Sequence, residues 1–344
     1  MRLLPVSFAV LVMIVAVSSL CLAQSYVVTD LGTLGGATSG AFAVNSKGQV
    51  AGYSTVNANI YIDHAFIWSS SAGMLDLGGL PGDSSSYAFA INDNGQVAGW
   101  SYGNATGAHA FVWTEGKGMQ SIGTLGGSNS FAYGLNSVGM VVGYADTVGN
   151  SAQHAFVWNS AEGMTDLGTL GGNYSFATAI NDSGQVTGSS YSADGVTLHA
   201  FLWTKETGIQ DLGAMGGGNS GGNAISASGQ IVGTTTWPKH AMSVLWTEKA
   251  GMRFIAGRLS QPLGIQSSQI VGYFEHNPQH AFLWTPESLL QDLNDLIGSH
   301  LGWYLGEATG INKGGQIVAI GQGSFTHALL LTPTNQGSSQ RSKP

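Results

Sequence analysis

The chain has 344 residues, a formal net charge of −8 and only 9% charged side chains. A mildly acidic, weakly charged surface with no basic run excludes nucleic acid as a partner. The single cysteine, Cys21, excludes a disulfide framework.

Residues 1–23 read as a secretory signal: Arg2 gives the positive start, residues 6–20 the apolar run, and Cys21-Leu22-Ala23 the small-residue cleavage site. The run is short and wrongly flanked for a spanning helix. Lipidation at Cys21 is the alternative, but Leu20 stands where a small residue belongs. Cleavage after Ala23 removes the cysteine and Arg2, so the product is predicted to be secreted or periplasmic, with no thiol and no membrane span. Its first predicted strand is Tyr26-Val27-Val28-Thr29-Asp30-Leu31-Gly32.

From there four short runs recur in fixed order. The first is Ala41-Phe42-Ala43-Val44-Asn45, with cognates at 88–92, 132–136, 177–181 and 308–312. Its alternation is that of a strand. The second is Gly48-Gln49-Val50-Ala51-Gly52, repeated at 95–99, 184–188 and 229–233. Between them lie Asn-x-x-Gly turns, in which Asn bonds its own backbone and Gly takes a positive φ. The third is His64-Ala65-Phe66-Ile67-Trp68, repeated at 109–113, 154–158 and 199–203, each step 45 residues. Degenerate copies follow at 242–246, 280–284 and 327–331. The fourth is Met74-Leu75-Asp76-Leu77-Gly78, eight residues on from Trp68 at Asp76; the same offset meets Ser121, Asp166, Asp211, Phe254 and Asp292.

Four antiparallel strands in a 45-residue period predict an all-β, seven-bladed β-propeller over residues 24–333. The seventh unit lacks a fourth strand and the residues around Asp30 supply one, so the termini are predicted to pair and close the ring. An open solenoid and an eight-bladed count are the alternatives. Residues 334–344 read as a disordered polar tail.

Asp166-Leu167-Gly168-Thr169-Leu170-Gly171-Gly172, Ala179-Ile180-Asn181, Gly184-Gln185-Val186 and His199-Ala200-Phe201-Leu202-Trp203 resemble the bacterial extracellular HAF-repeat family, named for its His-Ala-Phe phrase. The match covers the chain after the signal, although His240 is displaced relative to Trp246 and Arg258-Leu259-Ser260 replaces a Gly-Gly loop. The resemblance implies export and a repeat fold. It implies no activity, cofactor or metal.

The repeat histidines His64, His109, His154, His199, His280 and His327 are read as structural. Equivalent positions in a ring cannot converge on one ion, and hairpin pairing sets His64 near Asp76. Asp30, Asp76, Asp166, Asp211 and Asp292 are then their hydrogen-bonding partners. Trp68, Trp113, Trp158, Trp203, Trp246 and Trp284 are read as wedges between blades. Asn92-Asp93-Asn94-Gly95 lacks the later bidentate acid of a calcium loop.

Aromatics off the repeat pattern are the candidates for binding. Tyr53, Trp100, Tyr144 and Tyr273 follow the Gly that ends the second run, with Tyr102 and Trp237 nearby. They predict a ligand face on the variable loops between second and third strands, suited to an extracellular glycan or protein. The expected protein is a monomeric, non-enzymatic binding or scaffolding module. The alternative is a polysaccharide hydrolase or lyase using Asp63, Asp83, Asp146, Asp194 or Glu275, which requires two carboxylates held together.

Overall fold

The computed structural model describes residues 25–57, 60–237, 239–275, 277–298 and 302–334. The predicted signal and nearly all of the predicted polar tail lie outside them. The fold is all-β, 62% strand and 3% helix. No helix among the described residues is long and apolar enough to cross a membrane.

Strand β1 (Tyr26–Asp30) precedes a chain of meanders. The first comprises β2 (Ser39–Val44), β3 (Val50–Asn57), β4 (Ile60–Ser69) and β5 (Gly73–Asp76). The second comprises β6 (Ser85–Ile91), β7 (Val97–Gly103), β8 (Gly107–Thr114) and β9 (Gly118–Ser121). Then come β10 (Gly126–Leu135), β11 (Val141–Thr147), β12 (Gln153–Asn159) and β13 (Gly163–Asp166). They are followed by β14 (Gly171–Ile180), β15 (Val186–Ser192), β16 (Leu198–Thr204) and β17 (Gly208–Asp211). A single parallel bridge, Gln153 to Tyr174, joins these two meanders. Next are β18 (Ser220–Ile225), β19 (Ile231–Thr236), β20 (Ala241–Thr247) and β21 (Gly251–Gln266). The last are β22 (Gln269–Phe274), β23 (His280–Thr285), β24 (Leu289–Asp292), β25 (Tyr304–Ile311), β26 (Ile317–Gln322) and β27 (Thr326–Pro333).

Two points refine the reading of the sequence. Strand β21 pairs β20 through Met252 and Phe254 and then β22 through Ser260 to Gln266, so one strand serves two meanders. It runs through where Arg258-Leu259-Ser260 stands; elsewhere Gly35, Gly126 and Gly171, at φ 96° to 110°, turn the chain there. And the termini meet: β1 pairs antiparallel with β27, from Tyr26 opposite Pro333 to Asp30 opposite Leu329. Beyond the strands, Thr334 donates its N–H to the Ser25 carbonyl at 2.9 Å.

The apolar core is distributed between neighbouring meanders rather than gathered at one centre. Ala51, Ala65 and Ile67 pack on Ala88, Val97 and Phe111 of the next unit, and the pattern repeats along the chain. Ala41, Val50 and Phe66 pack in the same way on Val318, Ala328 and Leu330, joining the first meander to the last. The deepest wedges are the phenylalanines of the His-Ala-Phe phrase: Phe66, Phe111, Phe156 and Phe201 are fully buried. Of the repeat tryptophans only Trp284 is buried; the others are half-exposed and close the interface from its rim.

Polar side chains tie the units together. Asn45 Nδ2 donates to the Asn92 carbonyl, Asn92 to Asn136, Asn136 to Asn181 and Asn181 to Ser226, at 3.0 to 3.2 Å. Asn312 Nδ2 donates to the Asn45 carbonyl at 2.8 Å. Asn45 Oδ1 meanwhile accepts from the backbone N–H of Lys47 and Gln49, which makes the turn. A buried serine does a second linking task. Ser130 Oγ donates to the Gly123 carbonyl and accepts from the Ala110 N–H, and Ser39, Ser175 and Ser220 repeat it.

Candidate functional site

A register shift of one residue recurs in the first strand of every meander, for example between Ala41 and Ala43, Ala88 and Ala90, and Ala132 and Gly134. Each is a bulge that leaves one residue unpaired and redirects it. Opposite the bulge the backbones come so close that a Cβ on Gly143 would lie 1.8 Å from the Phe131 carbonyl oxygen. This contact, rather than a turn, is why glycine ends the second run.

In the first three units the bulge residue is aromatic: Phe42, Phe89 and Tyr133. Phe42 stacks on Phe89 at 4.5 Å, and Phe89 meets Tyr133 at 4.9 Å. In later units Thr178, Asn223 and Thr309 take the position and hydrogen-bond the next unit, at the carbonyls of Gly222, Pro262 and Ala41, each at 2.8 Å.

Three of the aromatics singled out by sequence join this line. Tyr53 lies 5.5 Å from Phe42 and 5.5 Å from Tyr87; Trp100 lies 4.6 Å from Tyr87 and 5.5 Å from Phe131. Tyr144 lies 4.9 Å from both Phe131 and Phe176. The result is a continuous arc of nine half-buried rings across four consecutive units. Tyr53 reaches its place because Gly40 is opposite: a Cβ there would fall 2.4 Å from the Tyr53 ring. These residues lie within strands β3, β7 and β11, not in the loops beyond them. Tyr102 and Trp237 stand apart from the arc and are exposed; Tyr102 donates to Asn104 Oδ1, and Trp237 contacts Phe254.

Carboxylates flank one end of the arc. Tyr87 donates its hydroxyl to Asp63 Oδ2 at 3.0 Å, while Asp63 Oδ1 is buried without a hydrogen-bond partner among the described residues. Burial pushes the Tyr53 hydroxyl above its ordinary pKa, and the charges of Asp63 and Glu307 push it further. Tyr273 is raised by burial and then by Glu307 and Glu275, so Glu307 acts on both tyrosines from the last unit. Gln279 Nε2 donates to Glu307 Oε1 at 3.0 Å.

Three of the other acids, Asp83, Asp146 and Asp194, accept from local donors. Asp146 accepts from the Asn129 N–H and Nδ2 and from Gln153 Nε2. Asp83 Oδ1 accepts from Thr106 Oγ1, while its Oδ2, like Asp63 Oδ1, is buried without a hydrogen-bond partner among the described residues. Asp194 accepts from Val196, Thr197 and Ser192, bonds that hold its carboxyl well below the usual range. Among the described residues no three His, Cys, Asp or Glu gather as a metal site.

The repeat histidines lie against the aspartates. His64, His154, His199 and His327 place Nδ1 at 2.8 to 3.0 Å from Asp76, Asp166, Asp211 and Asp30, and His280 contacts Asp292. A carboxylate only accepts, so Nδ1 carries the hydrogen in these pairs. Asp76 also accepts the Gly78 N–H at 2.7 Å, which shapes the link to the next unit. Among the described residues His109 has no such aspartate partner, and Ser121 stands where the aspartate would be.

Further hollows among the described residues include two of different make-up. One, of about 170 Å³, is lined from six units at once, by Asn45, Asn92, Asn136, Ile180, Gln266 and Asn312 among others. The other, of about 520 Å³, lies between Trp203, Met140 and the exposed Lys205–Glu162 pair.

Sequence alone signalled Tyr53, Trp100 and Tyr144 by their place after a glycine. It missed Phe42, Tyr87, Phe89, Phe131, Tyr133, Phe176 and Glu307, whose strand positions look like core. The available signal was the interruption of the small-residue alternation by a ring at the same register in successive units.

No family model and no curated protein matches the sequence. Similar solved structures include the β-propeller domain of the Trilobed protease from Pyrococcus furiosus, at TM-score 0.58 and 12% identity, covering 89% of this chain and 100% of that one. Oligogalacturonate lyase from Vibrio parahaemolyticus aligns at TM-score 0.55 and 9% identity over 89% and 93%. TolB from Acinetobacter baumannii aligns at TM-score 0.50 and 11% identity over 84% of this chain, which spans 64% of that one. At such identities the likeness bears on architecture alone. The architecture is that of a β-propeller.

Proposed function

We propose that residues 24–333 form one closed, seven-bladed propeller, exported and related to the His-Ala-Phe repeat proteins, that works as a monomeric binding module. Closure is supported by the pairing of β1 with β27 and by the bonds from Asn312 to Asn45 and from Thr309 to Ala41. The hollow lined from six units is the lower mouth of the resulting channel.

The observation that carries the binding role is the aromatic arc beside Asp63. Rings joined across four units offer sugar faces or apolar peptide side chains a stacking surface, and the carboxylates fix orientation. A hydrolase or lyase gains less support, since Asp146 and Asp194 are each held by several local donors and Asp83 by Thr106.

Screening the full chain against glycan and peptide arrays, then repeating with Tyr53→Leu and Trp100→Leu, tests this. Both variants should lose the hit while keeping the far-ultraviolet circular dichroism of the parent. Retained binding in both, with loss instead on Asp93→Asn at the Asn-x-x-Gly turns, would move the site to the opposite mouth.

A further inference from the structure

The proposed binding role leaves open what chemistry the arc selects, and its flanking charges bear on that. Among the described residues neither Asp63 nor Glu307 takes part in an ion pair. Asp63 has one oxygen held by Tyr87 and the other buried with no donor among the described residues. A carboxylate oxygen left in that state is costly until a donor arrives, and more so when its charge has no counterpart nearby. The charges that act on Tyr53 and Tyr273 are Asp63, Glu307 and Glu275, all negative.

Geometry brings these groups together. The bond from Thr309 Oγ1 to the Ala41 carbonyl lays β25, which carries Glu307, beside β2, where Gly40 leaves room for the Tyr53 ring. Tyr53 in turn contacts Tyr87, whose hydroxyl is on Asp63. Ring faces attract cations through their quadrupole, most strongly where water is displaced. A neutral hydroxyl could fill the vacant Asp63 acceptor, but only a cation would also answer the unpaired charge and use the ring faces.

We propose that the Asp63, Tyr87, Tyr53 and Glu307 end of the arc binds a ligand through a primary ammonium group. This deepens the binding role proposed above and rests on it. An amino sugar and a lysine side chain both present that group, and two pairs of probes separate them. Calorimetric titration of the full chain would compare the glucosamine tetramer with its N-acetylated form, at mildly acidic pH, and tri-lysine with its Nε-acetylated form.

In whichever pair binds, the free amine should bind on the order of tenfold more tightly than the acetylated partner. That preference should shrink at high salt. Asp63→Asn and Glu307→Gln, near-isosteric changes, should bring the two forms level. The wild-type comparison needs no variant, so a misfolded mutant cannot mask the result. Equal binding of amine and acetylated forms overturns the inference, as does failure of both amines to bind. Equal binding that is lost in Tyr53→Leu would still leave the aromatic binding site standing, which separates the two proposals.

Discussion

At the scale of single residues, the repeating phrase divides its tasks unevenly. Phe156 is fully buried between units, whereas Trp158 is half-exposed at the rim of the same cluster. Phe156→Ala should therefore cost about 3–5 kcal/mol, as aromatic truncation in a packed interior does. Trp158→Ala should cost less, which urea denaturation of the two variants would check. Tyr26 gives a second residue-level test. It is 4% exposed, its hydroxyl has no hydrogen-bond partner among the described residues, and burial pushes its pKa from 10 to about 12. The folded state thus holds the phenolic proton more tightly than the unfolded chain. That contribution is complete below pH 10 and is lost as pH rises through about 12. Tyr26→Phe should flatten the alkaline fall in stability over this window; an unchanged pH profile would contradict the assignment.

At the scale of elements, the terminal strand carries more than its five residues suggest. Strand β1 pairs along its whole length with β27, Asp30 meets His327 at 3.0 Å, and Tyr26 donates its N–H to the Leu296 carbonyl. Removing residues 24–32 exposes the β27 edge and the Leu329 and Leu331 side of the core. The melting temperature should then fall with the transition remaining a single step, as scanning calorimetry would show. A variant as stable as the parent would mean that the strand is ornamental. The bulges act on the same scale. They are set by glycine opposite an inward carbonyl, and they turn one residue per unit out of the strand ladder, which is how Phe42, Phe89 and Tyr133 come to touch.

At the scale of the whole molecule, the proposed ring predicts that no position along it is special. Ser25 and Thr334 already share hydrogen bonds, their hydroxyls 2.6 Å apart. Joining them through a short linker and opening the chain at the exposed turn around Ser70 and Ser71 should preserve the fold. Far-ultraviolet circular dichroism and the melting temperature of the permutant would check it. Collapse of the permutant would argue that the chain is an open array whose ends matter.

The sequence by itself determined the repeat, the strand order and the pairing of Tyr26 to Asp30 with the last strand, because period, turn residues and a strand missing at one end are local facts. It also marked Tyr53, Trp100 and Tyr144 by their position after a glycine. What only the tertiary structure decided is which rings meet. Phe42, Tyr87, Phe131 and Tyr133 have the spacing of core residues, and only the bulges and the packing of one unit on the next carry them into one arc. The same holds for Glu307 and Asp63, which are 244 positions apart in the chain and act on one tyrosine because the last unit packs against the first. Spacing along a strand is set by the backbone, whereas convergence between units is set by burial, and the second is not written at any one place in the sequence.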